Sequence, residues 1–95
     1  MMTFTDQFGK THTLYLQRQK YSSGHTRLNL IDAVDHCPYA TCTTNIQRLE
    51  TDEVAIKNYS ENLGILELLI ENKIISEPHR VLQENYVIIP ICKLI

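Results

Sequence analysis

Between Ile56 and Ile75 the chain reads IKNYSENLGILELLIENKII, the one stretch whose apolar residues recur at helical spacing. Leu63, Ile65, Leu66, Leu69 and Ile70 form a broad apolar stripe, while Gly64, Glu67 and Glu71 stack on the opposite side. Ser60 or Asn58 is placed to cap the start. Glu61 falls in the first turn, where an acidic group suits the positive dipole end, and Asn72 with Lys73 closes the helix. One helix of about residues 60–73 can cover one face of a sheet, so strands must bury the rest.

The flanking text alternates with a period of two. Thr3 to Lys20 reads as a hairpin turning at Gly9, with Leu14 and Leu16 inward and Tyr15 half exposed. A turn at Tyr21-Ser22-Ser23-Gly24 leads to a strand from Thr26 to Asp32, with Leu28 and Leu30 inward and Arg27, Asn29 and Ile31 opposite. Tyr39 to Ile46 reads as a third long strand and Val54 to Ile56 as a short fourth. After the helix, Ser76-Glu77-Pro78 breaks the chain before a strand from His79 to Gln83. Glu84-Asn85 then turns into Tyr86 to Leu94. Pro90 has no ladder donor, which predicts that this last strand lies at an edge or carries a bulge. The expected fold is α+β: an antiparallel meander sheet of about five to six short strands in the order β-β-β-(β)-α-β-β, with the helix on one face.

A chain of 95 residues makes one domain, 1–95, and 43% hydrophobic residues suffice for one modest core. No apolar run approaches the ~18 residues that span a membrane. The N-terminus MMTFTDQFGK lacks the basic and apolar regions of a signal peptide, so a cytoplasmic protein is expected. The odd count of three cysteines fits free, buried thiols. A net charge of −2 offers no basic surplus to neutralise phosphates, which argues against nucleic acid as a partner.

Catalytic and metal signatures are weak. His36, Cys37 and Cys42, with Cys92 or His25, lack the paired knuckles of a zinc site, and Cys42 is expected in the core. Nothing around Cys37 resembles a nucleophile motif; paired carboxylates occur at Asp32 with Asp35, Asp52 with Glu53 and Glu67 with Glu71, and the last pair, one helical turn apart, reads as a solvated face. Tyr15, Tyr21, Tyr39, Tyr59 and Tyr86 are spread over separate elements and read as core-edge residues. No cofactor or metal is expected. The helix entrance stands out: Lys57, Asn58, Tyr59, Ser60, Glu61 and Asn62 gather donors, an aromatic ring and a carboxylate around backbone N–H groups.

With these residues in view, the chain resembles a family of small uncharacterised proteins carried by bacterial phages and integrative elements. The resemblance spans roughly Tyr21 to Leu94. It rests on Pro38-Tyr39-Ala40-Thr41 with Asn45, on Asp52-Glu53 leading to Ile56 through Asn62 and Gly64, and on Val87 with Pro90 and Lys93. His36-Cys37 stands where that family has a turn-like acidic or glycine residue, which implies a turn of different shape. The family has no assigned activity. The resemblance therefore implies a setting: an accessory protein of a mobile element in the host bacterial cytoplasm, where such proteins often bind a host or defence factor.

The first expectation is a non-enzymatic module that binds a protein partner through residues 57–62 or through the C-terminal strand. A homodimer could pair along Val87, Ile89 and Ile91 if that strand is an edge. The alternative is a small-ligand or nucleotide-binding module in which Lys57, Asn58 and the helix N-terminus hold an anion. An enzyme using Cys37 is the weakest reading.

Overall fold

The computed structural model describes residues 1–46, 48–59, 62–84 and 86–95. Its elements follow in chain order as β1 (Met2–Thr5), β2 (Thr11–Lys20), β3 (Thr26–Asp32), β4 (Pro38–Thr41), β5 (Thr43–Thr44), β6 (Glu53–Ile56), α1 (Ile65–Glu71), β7 (Arg80–Glu84) and β8 (Val87–Lys93). The class is α+β, and the strands divide into two antiparallel sheets of four. Sheet A is a meander in the order β1-β2-β3-β4, and sheet B runs β5-β6-β8-β7.

Local chemistry sets the first turns. Asp6 Oδ1 accepts the backbone N–H groups of Phe8 and Lys10, each at 2.9 Å, while Gly9 supplies a φ of 83°. Leu14 of β2 and Leu28 and Leu30 of β3 are fully buried, and Leu16 pairs with Leu30, so the two strands turn their leucines inward. His36, at φ 60°, turns the β3–β4 connection, and the N–H of Asp32 bonds the carbonyl of Cys37 across it.

Tyr39 to Ile46 is not one strand. The chain leaves sheet A after Thr41 and joins sheet B at Thr43. Cys42 is the pivot: its N–H donates to the Leu28 carbonyl in β3 at 2.8 Å, and its carbonyl accepts the Lys57 N–H, just after β6, at 2.7 Å. Thr43 Oγ1 continues the β3 ladder by accepting the Leu28 N–H at 3.3 Å.

The sheets thereby enclose a shared core that includes Phe4, Leu14, Leu28, Leu30, Cys42, Val54 and Ile56, with Ile65, Leu68 and Leu69 of α1 and Ile75 beyond it. The far side of sheet B is also dry. Ile46, from the segment between β5 and β6, packs on Ala55, Ile89 and Ile91, with Leu49 alongside. All four residues of β6 are consequently buried.

Two expectations change. The helix begins at Ile65 rather than near residue 60, and Leu63 is 54% exposed instead of joining the apolar stripe. Gly64 stands at the N-cap with φ 95°, and a Cβ there would lie 3.2 Å from the Phe4 ring. Strand β8 is internal, lying between β6 and β7. Pro90 is accommodated because the β6–β8 pairs run Glu53–Lys93, Val54–Cys92 and Ala55–Ile91 and stop there, leaving the proline beyond the ladder's last pair. The edge is β7. Val87, Ile89 and Ile91 therefore cannot offer an open strand, and Ile89 and Ile91 belong to the buried cluster behind sheet B.

The helix ends in a Schellman turn, with the Lys73 N–H bonded to the Ile70 carbonyl and the Ile74 N–H to the Leu69 carbonyl, each at 3.0 Å. The left-handed residue is Lys73, at φ 58°, and not Asn72, whose φ is −90°. A lysine there carries the Cβ penalty that glycine avoids. Lys73→Gly is expected to stabilise the fold by about 1 kcal/mol, read as a higher urea midpoint at unchanged slope.

Candidate functional site

Lys57, Asn58, Tyr59 and Asn62, the described residues of a strap between sheet B and the helix, are largely engaged within the fold. Asn58 Oδ1 accepts the N–H groups of Gly64 at 3.1 Å and Leu66 at 3.0 Å, capping the helix from outside its own turn. Asn62 is 2% exposed, and its Nδ2 donates to the Thr41 carbonyl at 2.6 Å. The Lys57 Nζ lies 5.9 Å from the centroid of the Tyr59 ring. Ser60 and Glu61, both expected at this entrance, lie outside the described residues. The expected anion site at the helix entrance is thus altered: two of its amides already have an acceptor, and the helix of seven residues carries only a short dipole.

The same strap closes one end of a groove that the sequence reading did not assemble. The outer face of sheet A carries Gln17 and Gln19 from β2, Arg27, Asn29 and Ile31 from β3 and Thr41 from β4; with Tyr39, Lys57 and Asn62 they line a groove of about 540 Å³. Asn29 is buried, and its Nδ2 donates to Gln19 Oε1 at 2.8 Å. Arg27 has its guanidinium 5.9 Å from the Tyr21 ring, and its Nε–H is buried without a hydrogen-bond acceptor among the described residues. The described lining residues include two cations and no carboxylate. Burial and the charge of Asp6 raise the Tyr39 phenol above its ordinary pKa, keeping it protonated as a donor. The alternation of Gln17 with Gln19 and of Arg27 with Asn29 was visible, but the concavity came from the fold.

The Glu53 carboxylate, 3% exposed, anchors a second polar cluster. Arg80 Nη2 donates to Oε1 at 2.7 Å and Arg80 Nε to Oε2 at 3.2 Å. The Glu50 N–H also donates to Oε1 at 2.9 Å, and the His79 ring contacts Oε2. The Arg80 guanidinium, then the Glu50 amide, hold Glu53 down at about 2 despite its burial. Arg80 also donates to the Arg48 carbonyl, and Arg48 pairs with Glu84 at 3.0 Å, so this network ties the segment before β6 to the edge strand β7. Its geometry is that of a staple. Sequence separations of 26 and 27 residues left no local signal for it.

The thiol constellation is dispersed. Cys42 and Cys92 are fully buried, and burial pushes their thiols up to about 12 and about 11, which suppresses the nucleophilic thiolate at neutral pH. Cys37 is exposed on the turn before β4, while the neighbouring His36 ring faces Tyr15, with Nδ1 3.4 Å from the phenol oxygen. No group of three His, Cys, Asp or Glu side chains capable of holding a metal converges among the described residues.

Exposed apolar side chains are scattered, at Phe8, Val34 and Leu63 among others, and three of them fall on the β7–β8 hairpin of sheet B. Val81 on β7 is 58% exposed, Ile88 on β8 is 66% exposed, and Tyr86 between them is fully exposed at φ 71°. The pairing of Val81 with Pro90 and of Gln83 with Ile88 sets these four side chains on one face. Asn85, expected with Glu84 to turn the chain here, lies outside the described residues. Among the described residues no helix is long and apolar enough to cross a membrane. Compared with protein-family models, curated proteins and solved structures, the chain matches none.

Two measurements test this electrostatic and capping account. Asn58→Ala removes the acceptor of two helix amides and is expected to cost about 1–2 kcal/mol in urea unfolding. Because the folded-state pKa of Glu53 is depressed below its ordinary 4.5, its contribution is fully present above that pH and is lost as pH falls toward about 2. The urea midpoint should therefore drop through this window, and Glu53→Gln should flatten that drop while lowering stability at pH 7 by roughly 2–4 kcal/mol.

Proposed function

We propose that the protein is a non-enzymatic binding module that works through protein–protein contact at the free edge of sheet B, with a second copy of the chain as the first partner. The observation that carries this reading is strand β7. It is an outermost strand, it bears the exposed Val81 beside Ile88, and its sequence RVLQE is self-complementary in charge. In antiparallel pairing centred on Leu82, Arg80 faces Glu84 of the second copy, and Val81 faces Gln83. Such pairing is isologous and closes at two copies. The side chains of Arg80 and Glu84 keep 36% and 40% exposure despite their partners Glu53 and Arg48, so each can extend its ion pair into a network across the dyad.

A binding role also fits the chemistry of the chain, whose buried thiols and stapled Glu53 serve packing. The setting we propose is a bacterial cytoplasm carrying a phage or mobile element, as the resemblance in the segments 38–45, 52–64 and 87–93 implies. There the same edge, or the face beside it, would meet a host or defence factor.

Sedimentation tests the proposal. The wild-type chain should sediment as a dimer at high concentration, and Val81→Lys, which sets an ammonium on the solvent side of the edge, should weaken the dimer about tenfold or more without loss of the fold. A wild-type chain that stays monomeric at the highest attainable concentration, or a dimer indifferent to Val81→Lys, would overturn it.

A further inference from the structure

We infer that the groove on the outer face of sheet A is a binding site for the oxyanion of a small phosphorylated or carboxylated ligand, with Arg27 as its principal anchor. This site is separate from the β7 edge, and the inference stands whether or not the chain dimerises.

Four observations converge on it. The first is shape: a groove of about 540 Å³ lies within the range of small-molecule sites, roughly 300–1,000 Å³. The second is charge. Arg27 and Lys57 line the groove, and none of its described lining residues is acidic. The Cys42 N–H donates to the Leu28 carbonyl and the Lys57 N–H to the Cys42 carbonyl, so the backbones beside Arg27 and at Lys57 are joined through one residue.

The third observation is the state of Arg27 itself. The other two half-buried or edge guanidiniums that organise the fold have carboxylates: Arg80 has Glu53, and Arg48 has Glu84. The Arg27 side chain makes no hydrogen bond or ion pair among the described residues, and its Nε–H is shut away from solvent without an acceptor. A buried donor left that way is costly, and a small rotation of the guanidinium toward an entering oxyanion would recover it as a charge-assisted, forked hydrogen bond. The planar guanidinium lies over the Tyr21 ring, 5.9 Å from its centroid, a stacking contact that leaves its N–H edge for a ligand.

The fourth is the amide floor. Asn29 is buried and tied to Gln19 Oε1, which orients the Gln19 amide so that its NH₂ group remains a donor beside Arg27. Gln17 stands two residues along the same strand face, and Asn62 is fixed at the far wall by its bond to the Thr41 carbonyl. Donors held on strands lose little rotamer freedom on binding, which favours recognition of the acceptor-rich end of an anion.

The test titrates the full-length chain with three probes, inorganic phosphate, a nucleoside 5′-monophosphate and succinate, while following the side-chain NH₂ resonances of Gln17, Gln19, Asn29 and Asn62 by NMR. At least one probe should shift these resonances saturably, and Arg27→Gln should weaken that binding about tenfold or more. Arg27→Lys, which keeps the charge without the fork, should fall between them. A phosphate response shared by the monophosphate assigns the site to phosphorylated ligands, and a response to succinate alone assigns it to carboxylates. Should Arg27→Gln fail to fold, Lys57→Gln carries the same comparison. No saturable shift with any probe, or a shift of equal strength in the variants, would overturn the inference.

Discussion

The two backbone hydrogen bonds at Cys42 turn a pair of four-stranded sheets into a single structure. A residue that gives its N–H to one sheet and its carbonyl to the chain leaving the other cannot belong fully to either. It forces a sharp change of direction between β4 and β5, and that change lets both sheets address the same apolar centre. With only seven residues, α1 could not cover eight strands. It needs to cover only the opening between the sheets, where Ile65, Leu68 and Leu69 complete the core. A small thiol suits the position, because the close approach of three strands leaves little volume there.

The strap and the groove follow from the same crossing. Lys57 is bonded to Cys42 and Asn62 to Thr41, so the segment leading into the helix is pinned along the border of sheet A before Asn58 caps the helix. The polar side chains of Asn58 and Asn62 are spent on this joinery. What it leaves behind is a wall for the outer face of sheet A, where the amides and Arg27 gather. The apolar edge of sheet B presents the opposite chemistry, so the molecule offers two surfaces unsuited to the same ligand.

Much of this was legible in the residues. Alternation located β2 and β3 with their inward leucines, and turn chemistry located Gly9 and Gly24 at positive φ. The break at Cys42 was hidden because Ala40, Cys42 and Thr44 keep the period of two straight through the crossing, so one strand and two strands read alike. Leu63 extended the helical period by a turn that the backbone does not take, since Gly64 sits in a left-handed conformation. Pro90 was read with the right physics, a missing donor. The edge and the bulge it suggested are not the chain's solution: Pro90 keeps its place opposite Val81 of β7 and lies just past the last β6–β8 pair. The groove and the Glu53 staple draw on residues from distant segments, and single-strand patterning carries no information about such meetings.

The three cysteines give the molecule a built-in clock. Cys37 stands in solvent, whereas Cys42 and Cys92 are wholly enclosed, the first at the seam between the sheets and the second in the middle of sheet B. An alkylating reagent would consume Cys37 at once and reach the other two only during excursions that part the strands. The lag between the first and second modification would time how often the seam opens, and a ligand or a second copy that steadies either sheet would lengthen it.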